Sequence, residues 1–226
     1  MKRIVFFLFC MLFSFSFSAP GKDRSFFFVQ LSDPRLGLCS EDGGFEREKQ
    51  QFKQFIDAIN RLKPAFVVIS GNLVNDRGNA AQLAGFRELC RRIDSKIPIY
   101  LLPGACDVGD EASPEAVQDF IGRYGSDRFV FRKEGCCVIG LNTPVVKAGN
   151  SGQCRQQYDW LEKQLRRAGK YRRRILIGHH PFFVNRPDEP DADENIPSQE
   201  RQRYLDLCAR YRVDLVLAGH LCRRTE

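Results

Sequence analysis

The chain holds three histidines, and all of them sit in short turns that follow apolar runs: Gly178-His179-His180-Pro181 and Gly219-His220-Leu221-Cys222. Three further turns of the same kind carry Ser32-Asp33-Pro34-Arg35, Gly71-Asn72 and Pro103-Gly104-Ala105-Cys106-Asp107. Imidazole, carboxylate and thiolate are the donors that hold divalent transition metals. A glycine ahead of each histidine turn lets the backbone bend sharply. If these turns meet at one edge of the fold, the residues describe a metal site, present or former.

The apolar runs must do the positioning. Residues 26–31, 66–70, 99–102, 137–141, 175–177 and 215–218 read as strands, mostly continuous apolar runs as expected for strands covered on both faces. Between them lie faces of helical period. Phe52, Phe55, Ile56, Ile59 and Leu62 form one, and Leu83, Phe86, Leu89, Cys90 and Ile93 the next. Others fall on Val117, Phe120, Ile121 and Tyr124, on Trp160, Leu161 and Leu165, and on Tyr204, Leu205, Cys208 and Tyr211. Strands alternating with helices predict an α/β layered fold with a largely parallel sheet, and in such folds ligands bind past the carboxyl ends of the strands. Residues 186–197, acidic and rich in proline, read as a surface loop.

Composition fits one globular domain: 226 residues, 43% hydrophobic and 28% charged, with no repeat. The formal charge of +7 is spread along the chain and is densest over residues 166–174. That cluster follows a helical pattern and reads as a solvated helix end, with no nucleic-acid motif beside it, so no nucleic-acid partner is expected.

The order of the turns resembles the calcineurin-like metallophosphoesterases, whose series runs D-x-H, G-D, G-N-H-D, a later H, and G-H-x-H. It is nearest to the branch of calcineurin-like phosphoesterase domain-containing serine/threonine phosphatases, over about residues 26–224. The Asp-Pro-x-x-Gly-Leu opening, the Ala-Ile-Asn-x-Leu helix end and the Pro-Gly-x-x-Asp turn add to the likeness. The resemblance implies a two-sheet α/β sandwich flanked by helices. It also implies a dinuclear centre of Fe, Mn or Zn that hydrolyses phosphate esters, with a histidine assisting the leaving group. Carried over residue by residue, Asp33, His179 and His220 match ligand positions. Arg35 stands where a histidine or glutamine is usual, Asn72 at the bridging aspartate, Ala105 at an asparagine ligand, Cys106 at the catalytic histidine and Cys222 at the last histidine.

These departures change the chemistry. A neutral amide at Asn72 offers no negative charge to two cations, Ala105 offers no ligand atom, and Arg35 adds positive charge. At an effective dielectric of ~20, a unit charge 4 Å from another costs about 4 kcal/mol, and a divalent ion doubles that. The expectation is therefore a phosphatase scaffold with a degraded centre, weakly active or inactive, holding at most one Zn. Asp33, Asn72, His179, His220 and Cys222 remain as metal positions, and Cys106 takes the catalytic place. Two alternatives stay open. One is a pseudoenzyme binding a phosphorylated ligand through Arg35 with His179 or His180. The other is a single structural Zn, or a disulfide, at the old site.

At the amino terminus, Lys2 and Arg3 precede an apolar run over residues 4–17 and small residues before Pro20. This pattern reads as a secretory leader over residues 1–18 rather than a buried strand. Its cleavage would leave a phosphoesterase domain over residues 25–226, exported and without a stable membrane anchor. Cleavage removes two of the positive charges. Eight cysteines remain outside the leader, an even number that permits disulfides in an oxidising compartment. Cys90 and Cys208 are expected as buried free thiols, and of adjacent Cys136 and Cys137 at most one is expected to face the core. The chain stops four residues after Cys222, so the second sheet is expected to be incomplete.

Overall fold

A computed structural model describes residues 11–14, 25–38, 44–149 and 151–221. Two four-stranded sheets form a sandwich. The first has the order β1 (Met11–Ser14), β2 (Phe27–Leu31), β3 (Val67–Ile69), β4 (Ile99–Leu101). The second has the order β5 (Phe129–Lys133), β6 (Cys136–Gly140), β7 (Arg173–Ile177), β8 (Leu215–Leu217). Within each sheet three strands run parallel and the first is an antiparallel edge. Seven α-helices accompany them: α1 (Glu46–Leu62), α2 (Ala80–Cys90), α3 (Ala105–Val108), α4 (Pro114–Tyr124), α5 (Thr143–Ala148), α6 (Ser151–Arg167) and α7 (Ser198–Arg210).

Alternation along the strands sorts the side chains into three apolar layers. Phe28, Phe66, Val68, Val138, Ile175 and Ile177 point between the sheets. The residues between them, Val29, Leu31, Val67 and Ile69, face α1, α2 and α4 through Ile56, Phe86 and Phe120. On the second sheet Cys137, Ile139 and Leu176 pack instead with Leu161, Leu165, Tyr204 and Leu207. Both sheets are thus covered on both faces over most of their strands, Val216 of β8 being left 39% exposed, which is why the strands read as continuous apolar runs. Aromatic contacts tie the sheets together: Phe66 of the first lies 4.2 Å, ring to ring, from Phe131 of the second, and Tyr100 stacks on Phe129 at 4.3 Å.

Helix starts follow local chemistry. Asn79 caps α2 by accepting from the amides of Ala81 and Gln82, and Ser113 caps α4 just ahead of Pro114. α6 ends in Arg166 and Arg167, so the basic cluster does close a helix.

One expectation needs correction, and two strands lie beyond the six expected. Cys136 and Cys137 are both buried, because the strand carrying them has the sandwich interior on one side and helices on the other. Phe129–Lys133 is a strand that the sequence analysis passes over; it pairs with β6 through a tight Glu134-Gly135 turn in which both residues have positive φ. Within the run read as a leader and not as a strand, Met11–Ser14 pairs antiparallel with β2. Four residues, three of them apolar, gain ladder hydrogen bonds beside the open edge of β2, which hydropathy alone does not disclose. The rest of residues 1–18 lies outside the described residues.

Candidate functional site

Every turn singled out in the sequence ends at the same edge of the sandwich. Asp33 and Arg35 follow β2, Asn72 follows β3, Ala105 and Cys106 follow β4, His179 and His180 follow β7, and His220 follows β8. Glycines make the approach possible. Gly71 has φ +61, and a Cβ there would run into the backbone of Gly104; a Cβ on Gly219 would strike the Ser32 side chain. Asp33, Arg35 and His220 also have positive φ, at 56, 40 and 70°. For residues other than glycine such backbones cost of order 1–3 kcal/mol each and persist where surroundings enforce them, commonly at functional sites.

Asp33 is the hub. Its carboxylate accepts from the Ser32 hydroxyl, from the backbone amide and side-chain amide of Asn72 (3.2 and 3.1 Å), and from the backbone amide of His220 (3.0 Å). Four protein donors occupy the lone pairs that a metal would need. Asn72 is engaged in turn: its Oδ1 accepts from the amide of Cys106 at 2.8 Å. Beneath it, buried Asp107 accepts from the amides of Leu73, Val74 and Gly104. Burial is the main reason its carboxyl is raised from the ordinary 3.8 to about 7, against the pull of those amides.

Arg35 donates through Nε to Asn75 Oδ1 at 3.1 Å and also reaches the Cys106 sulfur. Burial raises the Cys106 thiol above its ordinary 9.0, and the nearby guanidinium only partly opposes this. The thiol is therefore held protonated at neutral pH and is a poor nucleophile there.

The histidines form a tight group, one ring nitrogen from each lying within 4.8 Å of the others. Thr143 Oγ1 fixes the turn that carries two of them by accepting from the amides of His179 (2.9 Å) and His180 (2.8 Å). His179 Nδ1 lies 2.8 Å from the Ser70 carbonyl and His220 Nε2 lies 3.0 Å from the Asp193 carbonyl. A carbonyl can only accept, so both of these nitrogens carry hydrogen. The remaining nitrogens, His179 Nε2 and His220 Nδ1, then face each other at 3.1 Å, close enough to share a proton or a metal ion. His180 is 3% exposed, yet among the described residues neither of its ring nitrogens has a hydrogen-bond partner. Burial first, and the neighbouring rings second, push its pKa far below the ordinary 6.5; burial also lowers that of His179. Imidazoles kept neutral by burial, as in His179 and His180, suit a divalent cation.

The family model for calcineurin-like phosphoesterases matches residues 28–224. The chain belongs to the calcineurin-like phosphoesterase family. Serine/threonine-protein phosphatase CPPED1 of Bos taurus is 31% identical over 217 residues, which cover 88% of this chain and 69% of that protein. The Danio rerio protein of the same name is likewise 31% identical, over 219 residues, covering 88% and 70%. In fold, the chain is similar to a dimetal phosphatase from Danio rerio, with TM-score 0.59 and 12% identity over 85% of this chain and 80% of that one. It is similar also to a purple acid phosphatase from yellow lupin seeds, with TM-score 0.59 and 16% identity over 87% of this chain and 40% of that one.

Phosphoesterases of this family typically bind divalent metals, and this member's residues fit one such ion better than two. The trio of imidazoles offers donors, whereas the oxygen positions are taken or missing: Asp33 is saturated, Asn72 is hydrogen-bonded, and Ala105 has no donor atom. Cys222, expected as a ligand, lies outside the described residues. So does Cys39, while Cys90, Cys106, Cys136, Cys137, Cys154 and Cys208 are free thiols, with Cys208 buried as expected and Cys90 only half-buried. Ser70, Thr143, Asp107 and Asp193 orient the site through backbone contacts, and no sequence pattern marks them for that role. The acidic loop of residues 186–197 is mostly exposed, as expected. Arg201, 1% exposed, clamps that loop by donating to the carbonyls of Ile196, Pro187 and Glu189, which holds Asp193 against His220.

Proposed function

We propose that this phosphoesterase-family protein keeps the phosphatase scaffold while its dinuclear centre is degraded, so that it hydrolyses phosphate esters weakly or not at all. The observation that carries the reading is the state of Asn72. An amide there donates to Asp33 and accepts from Cys106, doing with hydrogen bonds what a bridging carboxylate would do with two cations. A divalent ion, when bound, would supply Lewis acidity toward a phosphoryl oxygen and a lowered water pKa. The chain's own residues contribute little beyond that. Cys106 holds its proton too firmly to serve a leaving oxygen well, and Arg35 is turned toward Asn75 and the thiol. Of the two alternatives, a single ion is favoured over direct phosphate capture, because the three rings converge and burial keeps His179 and His180 neutral. The leader-like amino terminus makes export part of the same proposal.

The test is hydrolysis of an aryl phosphate under saturating Mn2+ or Zn2+, comparing the unmodified protein with His220→Ala. We expect no turnover above the variant. Substantial turnover that disappears in His220→Ala would overturn the reading.

A further inference from the structure

We propose that His180 completes a mononuclear site of three imidazoles with His179 and His220, selective for a borderline divalent ion such as Zn2+ over the harder Mn2+. The inference rests on the proposed loss of the dinuclear centre and adds the ligand that replaces it. Three observations converge on it. First, the carbonyls of Ser70 and Asp193 fix the tautomers of His179 and His220, so their acceptor nitrogens confront each other at 3.1 Å. Donation of the second ring N–H to a backbone carbonyl is the arrangement that orients metal-ligating histidines. Two ligand nitrogens on a tetrahedral ion at ordinary Zn–N distances lie about 3.3 Å apart. Second, His180 sits against both, its ring centre 4.7 Å from that of His179 and 4.4 Å from that of His220. It is almost wholly buried with neither nitrogen satisfied among the described residues. A buried polar atom without a partner is costly and calls for an explanation. A cation shared by the three rings supplies one. Third, the oxygen ligands that would favour Mn2+ are unavailable: Asp33 already accepts four hydrogen bonds, and Ala105 has no donor atom. Imidazole donors alone shift preference toward Zn2+. Thr143 holds the two adjacent histidine amides on one hydroxyl, which keeps the turn closed around the trio.

The experiment uses the full chain stripped of metal by chelation and titrated with Zn2+ against a chromophoric competitor. We expect one equivalent to bind and raise the unfolding midpoint. His180→Phe should weaken binding at least about a hundredfold and abolish the midpoint rise. Its metal-free midpoint should equal or exceed that of the unmodified chain, because an unsatisfied buried imidazole has been removed. A second readout needs no variant. With three histidines in the chain, nitrogen NMR should show His179 Nε2, His220 Nδ1 and one His180 nitrogen shifting together on Zn2+ addition. Unchanged affinity in His180→Phe, a response confined to two rings, or no Zn2+ bound at all would overturn the His180 assignment while leaving the degraded-centre reading intact. Two tightly bound ions with strong turnover would overturn both.

Discussion

Asp107→Ala should unfold the site before it unfolds anything else. The Asp107 carboxylate is 5% exposed and receives the Leu73 amide at 3.0 Å on both oxygens, the Gly104 amide at 2.8 Å and the Val74 amide at 3.4 Å. The first two are firm hydrogen bonds and the third is marginal. Alanine leaves all three donors buried without an acceptor, at about 1–3 kcal/mol each. Weighting the long bond lightly, the loss comes to about 3–6 kcal/mol, a large part of the 5–15 kcal/mol that usually holds a domain together. Asp107→Asn keeps one acceptor oxygen but sets an NH2 group against a backbone N–H, so about 1–3 kcal/mol should be lost. Urea unfolding with linear extrapolation measures both, and native-state hydrogen exchange should show the Leu73 and Gly104 amides losing protection first. A cost below about 1 kcal/mol for Asp107→Ala, or undiminished protection at those amides, would refute the argument that this carboxylate holds the β3 and β4 turns together.

The same carboxyl predicts a pH dependence. Its folded pKa of about 7 lies above the ordinary 3.8, so between about pH 4 and 7 the folded state keeps a proton that the unfolded state has released. Stability should fall as pH rises through that window, by at most about 4 kcal/mol, and Asp107→Asn should flatten the profile. Asp33→Ala should destabilise the metal-free chain by about 2–4 kcal/mol in urea unfolding, because four donors lose their acceptor; an unchanged or raised midpoint would show that its hydrogen bonds carry no structural weight. Arg201→Met should free the loop of residues 186–197 and hasten its proteolytic cleavage at least about tenfold, as three carbonyls lose a buried donor; unchanged cleavage would refute the clamp. Restoring Arg35→His, Asn72→Asp, Ala105→Asn, Cys106→His and Cys222→His together should raise Mn2+-dependent hydrolysis of an aryl phosphate by about a hundredfold or more, with single reversions doing little. Steady-state kinetics across the series decides it.

The six strands read from the sequence were legible because a sandwich buried on both faces forces unbroken apolar runs, as in Val67–Ile69 and Cys136–Gly140. Phe129–Lys133 escaped for the opposite reason. It is an edge strand, exposed toward its Lys133 end, and its turn uses Glu134-Gly135 rather than the Asn-Gly or Asp-Gly that signals a hairpin. At the site, residues whose chemistry lies in the side chain could be named: Asp33, His179 and His220 come together as expected. Those that act through a carbonyl or a single hydroxyl could not. Ser70 lies 109 residues before His179, and nothing in its type distinguishes its carbonyl from any other. His180 shows the limit from another side. Its sequence neighbours suggest a companion of His179, while what singles it out is a pair of buried nitrogens without a partner among the described residues, a property only packing reveals.

The site divides along the seam between the sheets, and the division bears on the proposed single-ion site. The residues that depart from the family pattern among those described, Arg35, Asn72, Ala105 and Cys106, all lie in turns of the first sheet; His179, His180 and His220 all lie in turns of the second. Once the bridging carboxylate gives way to an amide, the two halves no longer need a shared cation. They do still need a bond across the seam. Asp33 supplies it, accepting from Asn72 on its own sheet and from the backbone of His220 on the other. Its retention is then accounted for by structure rather than by ligation. The histidines are under a different constraint: His179 Nε2 and His220 Nδ1 face each other at 3.1 Å, a contact that needs a proton or a metal ion between them. Under the proposed function, hydrogen bonds serve the oxygen side of the site and the ion falls to the nitrogen side alone.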